Sequence, residues 1–210
     1  PTQLNRNIEP ALAIEADASA FAEALLSAIN RPPAPDVDLN ACAVAPQKDL
    51  AENYTRHLPM IEALWEAYPN AILVGDSAEP SYTATCAGRA PGSRQWFTGS
   101  TGFGTLGYAL PAAIGAQIAR PDAPVIALAG DGGALYTIPE LAAAAEAGAP
   151  VILLIWNNDG YGEIRSYMQS NQIQTAGVDL SPIDFAALAK GFGAQYAAVT
   201  NIASLLAAVD

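Results

Sequence analysis

Two patterns of apolar residues alternate along this chain. One is the short unbroken run, as in AILVGDS (71–77), APVIALAGDGG (123–133), PVILLIWNNDG (150–160) and QYAAV (195–199). The other is helical spacing, as in FAEALLSAI (21–29), MIEALWEA (60–67), ALPAAIGAQIA (109–119), ELAAAAEAG (140–148), FAALAKG (185–191) and IASLLAAV (202–209). Unbroken runs are expected of parallel strands covered on both faces, and 3.6-residue spacing of helices with one apolar face. Strand and helix alternate, so the predicted fold class is α/β: an open, mainly parallel sheet with helices on both faces. Residues 8–30 are expected to form a short strand, a link and a helix that starts at Asp17. Pro59 is expected in the first turn of a helix within 50–69 or as a break in it. Pro139, Glu140 and Gly148 fit the start and stop of another, and Ser181, Pro182 and Asp184 fit the start of a third.

The proline-rich RPPAPDVD cannot continue a helix. It divides the chain into a first part at 1–30, a linker at 31–46 and a main domain at 47–210. Both ends interrupt a pattern, and the chain is expected to be a piece of a longer polypeptide. The N-terminus has neither signal-peptide nor transit-peptide character.

Charge narrows the partners. The 210 residues carry a net charge of −12 with only nine Lys and Arg. No basic face is available for nucleic acid, and anionic membranes are disfavoured. No apolar run approaches the roughly 20 residues of a membrane span. Cys42 and Cys86 allow one bridge, but two buried or free thiols are expected, in keeping with a cytoplasmic location. His57, the single histidine, reads as a surface or helix-start residue.

In open α/β sheets, ligands sit beyond the C-terminal ends of the strands. Three polar loops fall there: Gly75-Asp76-Ser77, Gly130-Asp131-Gly132-Gly133 and Asn157-Asn158-Asp159-Gly160. Each alone is ordinary turn chemistry. Together they offer a carboxylate, an amide oxygen and free backbone N–H groups, which suit a divalent cation bound to a diphosphate. The P-loop pattern is absent. Gly102 to Gly107 has the letters GxGxxG, but no strand is evident before it and no acid follows at the expected distance.

GDG followed by NN, with Asn158 placed 27 positions after Asp131 (158 − 131 = 27), resembles the thiamine-diphosphate binding motif. TLGYALPAAIGAQIARP (105–121) and FAALAKGFGA (185–194) resemble flanking blocks of the decarboxylase and acetolactate-synthase branch. The resemblance covers about Gln47 to the end, and the first 30 residues resemble the tail of that branch's middle domain.

The resemblance implies a thiamine-diphosphate- and Mg2+-dependent lyase acting on a 2-oxo acid. Asp131, Asn158 and the Gly160 carbonyl would hold the metal. Gly130, Gly132, Gly133, Tyr161, Gly162, Ser77 and Ala78 would surround the diphosphate. Gly104 would meet the aminopyrimidine, and Leu106 would support the bent cofactor, unless it is a plain core leucine. The family's pyrimidine-activating glutamate lies on an N-terminal domain of a partner subunit, within a homodimer or homotetramer. No residue of this chain matches it, so the isolated chain is expected to be inactive.

The segment after NN lacks the Gln-Trp pair common in acetolactate synthases and is closer to the decarboxylases. Carboligation of the acetolactate-synthase type is therefore the alternative. A non-catalytic thiamine-diphosphate module and an ordinary nucleotide-binding domain are the rivals from other classes. Glu163 and Ile164 stand where the resemblance places the substrate pocket. A carboxylate there points to a cationic substrate such as 5-guanidino-2-oxopentanoate. The other readings of Glu163 are an internal pair with Arg165 or another cation, a solvent-facing helix start, and a proton relay.

Overall fold

The structure is a computed structural model that describes residues 11–29, 50, 52 and 55–209. The chain forms two compact units, Pro1–Ala43 and Val44–Asp210. In the first, helix α1 (Ala18–Ala28) starts at Asp17, whose carboxylate accepts from the backbone N–H groups of Ser19 and Ala20. Residues 11–17, expected to include part of a strand, form none. The expected linker lies outside the described residues.

The second unit contains helix α2 (Leu58–Ala67), strand β1 (Ile72–Gly75), helix α3 (Glu79–Cys86) and strand β2 (Trp96–Thr98). Helix α4 (Ala109–Ala119), strand β3 (Val125–Gly130), a single helical turn α5 (Asp131–Ala134) and helix α6 (Glu140–Glu146) follow. Strand β4 (Val151–Trp156) and helices α7 (Gly162–Ser170), α8 (Phe185–Gly191) and α9 (Ile202–Val209) complete it. The sheet order is β2-β1-β3-β4 and every pairing is parallel.

The strands are apolar throughout because alternate residues enter different cores. Leu73, Ile126 and Leu128 pack on one face with Ile61, Leu64 and Trp65 of α2 and Leu205 of α9. Ile72, Val74, Val125 and Ala127 pack on the other with Ala109 and Ala113 of α4. Every residue of β1 is buried, whereas β4, with a partner on one side only, is half-buried.

Several expectations change. QYAAV forms no strand; Val199 instead packs against the core that α9 joins. A run of this kind is a strand only where a neighbour takes its backbone hydrogen bonds. Trp96–Thr98, where no strand was evident from the sequence, pairs with β1 because its backbone lies along that free edge. A short strand therefore does precede the GxGxxG letters, but the 3-10 turn Gly99–Thr101 separates the two. Helix α8 begins at Phe185, later than Ser181 and Pro182 would set it, because the Asp184 carboxylate caps the Ala187 N–H at 2.9 Å. Helix α2 begins at Leu58 with Pro59 in its first turn. His57 sits at that helix start but is 5% exposed, not a surface residue. Cys86 is free and exposed, while Cys42 lies outside the described residues. Among the described residues no helix is long and apolar enough to cross a membrane.

Ile126 is fully buried at the centre of β3, whereas Ile118 on α4 is 61% exposed. Ile126→Ala is expected to cost about 3 kcal/mol in urea unfolding, and Ile118→Ala less than about 0.5 kcal/mol.

Candidate functional site

The register of the sheet assembles the site. Gly130 pairs with Trp156 across the last rung of β3 and β4, and Gly75 pairs with Leu128. The loops after β1, β3 and β4 therefore emerge side by side at the C-terminal edge. A cavity of about 320 Å³ opens there. Its walls include Ser77, Ala78, Gly104, Leu106, Gly130, Asp131, Gly132, Gly133, Asn158, Gly160, Tyr161, Gly162, Glu163 and Ile164, every site residue named from the sequence.

Asp131 is 1% exposed, and its Oδ2 accepts from the Gly160 N–H at 2.8 Å. That bond ties the exit of β3 to the exit of β4. Gly160 has φ +154°, and a Cβ there would come within 2.2 Å of the Val178 carbonyl oxygen. Only glycine fits that corner. Gly132 is required for a different reason: a Cβ would meet the Tyr161 ring at 2.6 Å. The tyrosine lies flat against the glycine backbone.

The amide of Asn158 closes the group. One end of it lies 2.8 Å from Gly160 O and 3.2 Å from Asp131 Oδ1. With nitrogen at that end, the orientation that hydrogen bonding favours, the amide donates to both oxygens. With oxygen inward, three acceptors converge with no proton between them, an arrangement that repels unless a cation lies among them. In an octahedral magnesium site with metal–oxygen distances of about 2.0–2.1 Å, neighbouring ligand oxygens stand about 2.9 Å apart. The spacing and the hard oxygen set therefore fit Mg2+. Among the described residues no group of three or more His, Cys, Asp or Glu side chains could hold a metal ion, so a cation here would depend on amide and backbone oxygens beside Asp131.

A second buried acid, Asp76, organises the opposite wall. It was part of a loop noted in the sequence, but no role was assigned to it. Its Oδ2 accepts from the Gly107 N–H at 2.7 Å and its Oδ1 from the Ser77 N–H at 2.8 Å. Ser77 Oγ donates to Gly104 O at 3.0 Å, and Thr137 Oγ1 donates to Gly107 O at 2.9 Å. Asp76 therefore holds the backbone on which Gly104 and Leu106 are carried. Burial pushes its carboxyl above the usual aspartate range, while the N–H groups of Gly107, Ser77 and Tyr108 pull it back. A strand-end acid that satisfies turn donors has no motif of its own, so the sequence offered no signal beyond its place after β1.

Glu163 lies in the first turn of α7. The expected alternative of a pair with Arg165 does not hold: Arg165 Nη2 bonds Asp179 Oδ1 at 2.8 Å and the Asp159 carbonyl at 3.1 Å. Glu163 has no ion pair among the described residues. Its carboxyl is pushed above the ordinary glutamate value, first by burial and then by the charge of Glu79, with Arg56 opposing. Glu79, Tyr82 and Trp156 also line the cavity, and the sequence reading missed all three.

Comparison with known proteins bears on this geometry. The thiamine pyrophosphate enzyme C-terminal TPP binding domain matches residues 80–210. A probable 2-ketoarginine decarboxylase of Pseudomonas aeruginosa is 36% identical over 202 residues, which are 92% of this chain and 35% of that protein. An acetolactate synthase large subunit of Parasynechococcus marenigrum is 37% identical over 142 residues, 66% of this chain and 23% of that one. The solved thiamine diphosphate-dependent 4-hydroxybenzoylformate decarboxylase of Rhodococcus jostii superposes with a TM-score of 0.63 at 33% identity. That match covers 73% of this chain and 29% of the solved one. The chain thus spans about a third or less of the length of these relatives.

Asp76→Ala would leave the buried Gly107 N–H without its acceptor and free the Ser77 N–H. The expected loss is about 2–4 kcal/mol of stability, measured by chemical denaturation.

Proposed function

Because this chain belongs to the thiamine pyrophosphate enzymes, whose C-terminal TPP binding domain it contains, we propose that it supplies the diphosphate and metal half of a 2-oxo acid decarboxylase site. The observation that carries the metal assignment is the convergence of Asp131 Oδ1, the Asn158 amide and the Gly160 carbonyl. Mg2+ would bind these oxygens. Gly132 and Gly133 would give N–H groups to the diphosphate, in a cradle that a Cβ at Gly132 would fill. Ser77, Ala78, Gly130, Tyr161 and Gly162 would border it. Gly104 would meet the pyrimidine through its backbone, and Leu106 would press on the cofactor from below. When bound, thiamine diphosphate supplies the nucleophilic carbon and the electron sink that decarboxylation requires. The chain's own contribution is grip, orientation and the shape of the substrate pocket.

In this reading the substrate is a 2-oxo acid with a cationic tail, of which 5-guanidino-2-oxopentanoate is the specific candidate. Glu163 is exposed at its helix start, has no ion pair among the described residues and stands on the cavity wall, so its carboxylate is open to a cation that enters there. A guanidinium can engage it through two parallel hydrogen bonds. Ile164 would give the apolar contact for the tail. The similarity to a probable 2-ketoarginine decarboxylase agrees with that chemistry. The pyrimidine half of the site would come from an N-terminal domain of a partner subunit, in a homodimer or homotetramer working in the cytoplasm.

The deciding experiment is carbon dioxide release by the full-length protein, loaded with thiamine diphosphate and Mg2+. Substrates would be 5-guanidino-2-oxopentanoate, benzoylformate and pyruvate. The guanidino acid is expected to be preferred, with Glu163→Gln raising its KM at least about tenfold and leaving the neutral acids within about twofold. Equal turnover of neutral acids by the wild type would retire the cationic substrate. Carbon dioxide without aldehyde would indicate carboligation, and cofactor binding without turnover of any acid would indicate a non-catalytic module. Asp131→Asn is expected to weaken magnesium-dependent cofactor binding by at least about 100-fold, read from quenching of tryptophan fluorescence; an ordinary nucleotide-binding domain would show no such titration.

The raised Glu163 carboxyl sets the pH response. A cation binds the ionised form, so affinity is complete at neutral pH and is lost as pH falls through a pKa above the usual glutamate value. The guanidino acid's KM is therefore expected to rise on acidification sooner than an ordinary glutamate would cause, and Glu163→Gln to flatten that rise.

A further inference from the structure

The wall beside Glu163 carries a second acid that no motif marks. Glu79, at the start of α3, lines the 320 Å³ cavity together with Glu163. It also lines an adjoining cavity of about 580 Å³ with Arg56, His57 and Trp156. The Glu79 carboxylate pairs with Arg56, and its Oε2 lies 3.4 Å from His57 Nε2. Arg56 Nε donates to the same His57 nitrogen at 3.0 Å, and the imidazole meets Trp156 edge-on with centroids 4.4 Å apart. Burial, and then Arg56, hold His57 below its ordinary pKa, so it adds no positive charge at neutral pH. Arg165, the other arginine on the larger cavity, is committed to Asp179.

Counting charges on this wall gives two carboxylates, Glu79 and Glu163, against one guanidinium, Arg56. The wall is one positive charge short. The Glu79 side chain is only 14% exposed, against 45% for Arg56, so the acid is the fixed partner and the arginine the more solvated one. Glu79 is largely shielded and Glu163 is exposed beside it, so a cation entering the cavity meets one screened and one less screened carboxylate.

We propose that Glu79 is a second specificity-determining residue, which acts with Glu163 on the substrate's cationic tail while Arg56 serves as its resident counter-ion. The inference rests on the cationic-substrate reading above and deepens it. Glu163 supplies the unpaired acid. Glu79 supplies the second negative charge, and Arg56 holds that acid in place while subtracting from the field the tail meets. A structural ion pair and a specificity device differ in sign. If the pair only braces the wall, removing either partner harms the site in the same direction. If it sets the field, removing Glu79 weakens cation binding and removing Arg56 strengthens it.

The test is calorimetric titration of the full-length protein with two non-reacting probes, 5-guanidinopentanoate and hexanoate. It reads binding, not turnover. Glu79→Gln is expected to weaken 5-guanidinopentanoate about tenfold and to move hexanoate by less than about twofold. Arg56→Met is expected to tighten 5-guanidinopentanoate at least about threefold. Thermal melts check that each variant is folded, and if Glu79→Gln is not, the sign of the Arg56→Met effect decides. Equal weakening of both probes in Glu79→Gln, or weaker guanidino binding in Arg56→Met, would overturn the inference. If the wild type fails to prefer the guanidino probe, the cationic-substrate reading itself falls. If the preference is present and disappears in Glu163→Gln but survives in Glu79→Gln, only the role of Glu79 falls.

Discussion

The bond from the Gly160 N–H to the Asp131 carboxylate is the contact around which the site is organised. It joins the ends of two adjacent parallel strands. It also leaves Asp131 Oδ1 turned toward the Asn158 amide and the Gly160 carbonyl. A buried carboxylate needs partners, and here one oxygen takes a backbone N–H while the other stands beside the Asn158 amide. Gly160 can make this bond only as glycine, because a Cβ at that corner would run into the Val178 carbonyl oxygen.

Asp76 plays the complementary part with a different outcome. Both of its oxygens are taken by backbone N–H groups, from Ser77 and Gly107. It does not line the cavity and serves to hold a loop. Two acids with the same burial, at the ends of neighbouring strands, thus divide into one that shapes the cavity and one that faces into it. The difference is in the partners. It lies in neither the residue type nor the depth.

On the outer wall the electrostatics are unbalanced. Arg56, His57, Glu79 and Trp156 form one packed group, and Glu163 stands beside it without an ion pair among the described residues. Glu79, Trp156 and Glu163 line the same cavity as Asp131, Asn158 and Gly160, so both groups are carried by one sheet edge.

The open parallel sheet, its helices and the loops that carry Asp131 and Asn158 were legible in the sequence, because unbroken apolar runs and glycine-flanked polar residues are local signals. The cavity residues in the loops after β1, β3 and β4 were legible for the same reason, whereas Gly104 and Leu106 were named through the family resemblance and Glu79, Tyr82 and Trp156 carried no signal. Tertiary structure alone decided that QYAAV is not a strand while Trp96–Thr98 is, because a strand is defined by its neighbour's hydrogen bonds. It alone decided that Arg165 turns to Asp179 and leaves Glu163 unpaired, and that Arg56, 23 residues before Glu79 in the chain, reaches that acid. Patterns of residue type determine which groups stand at the sheet edge. Which charges meet there depends on through-space distances that no local pattern encodes.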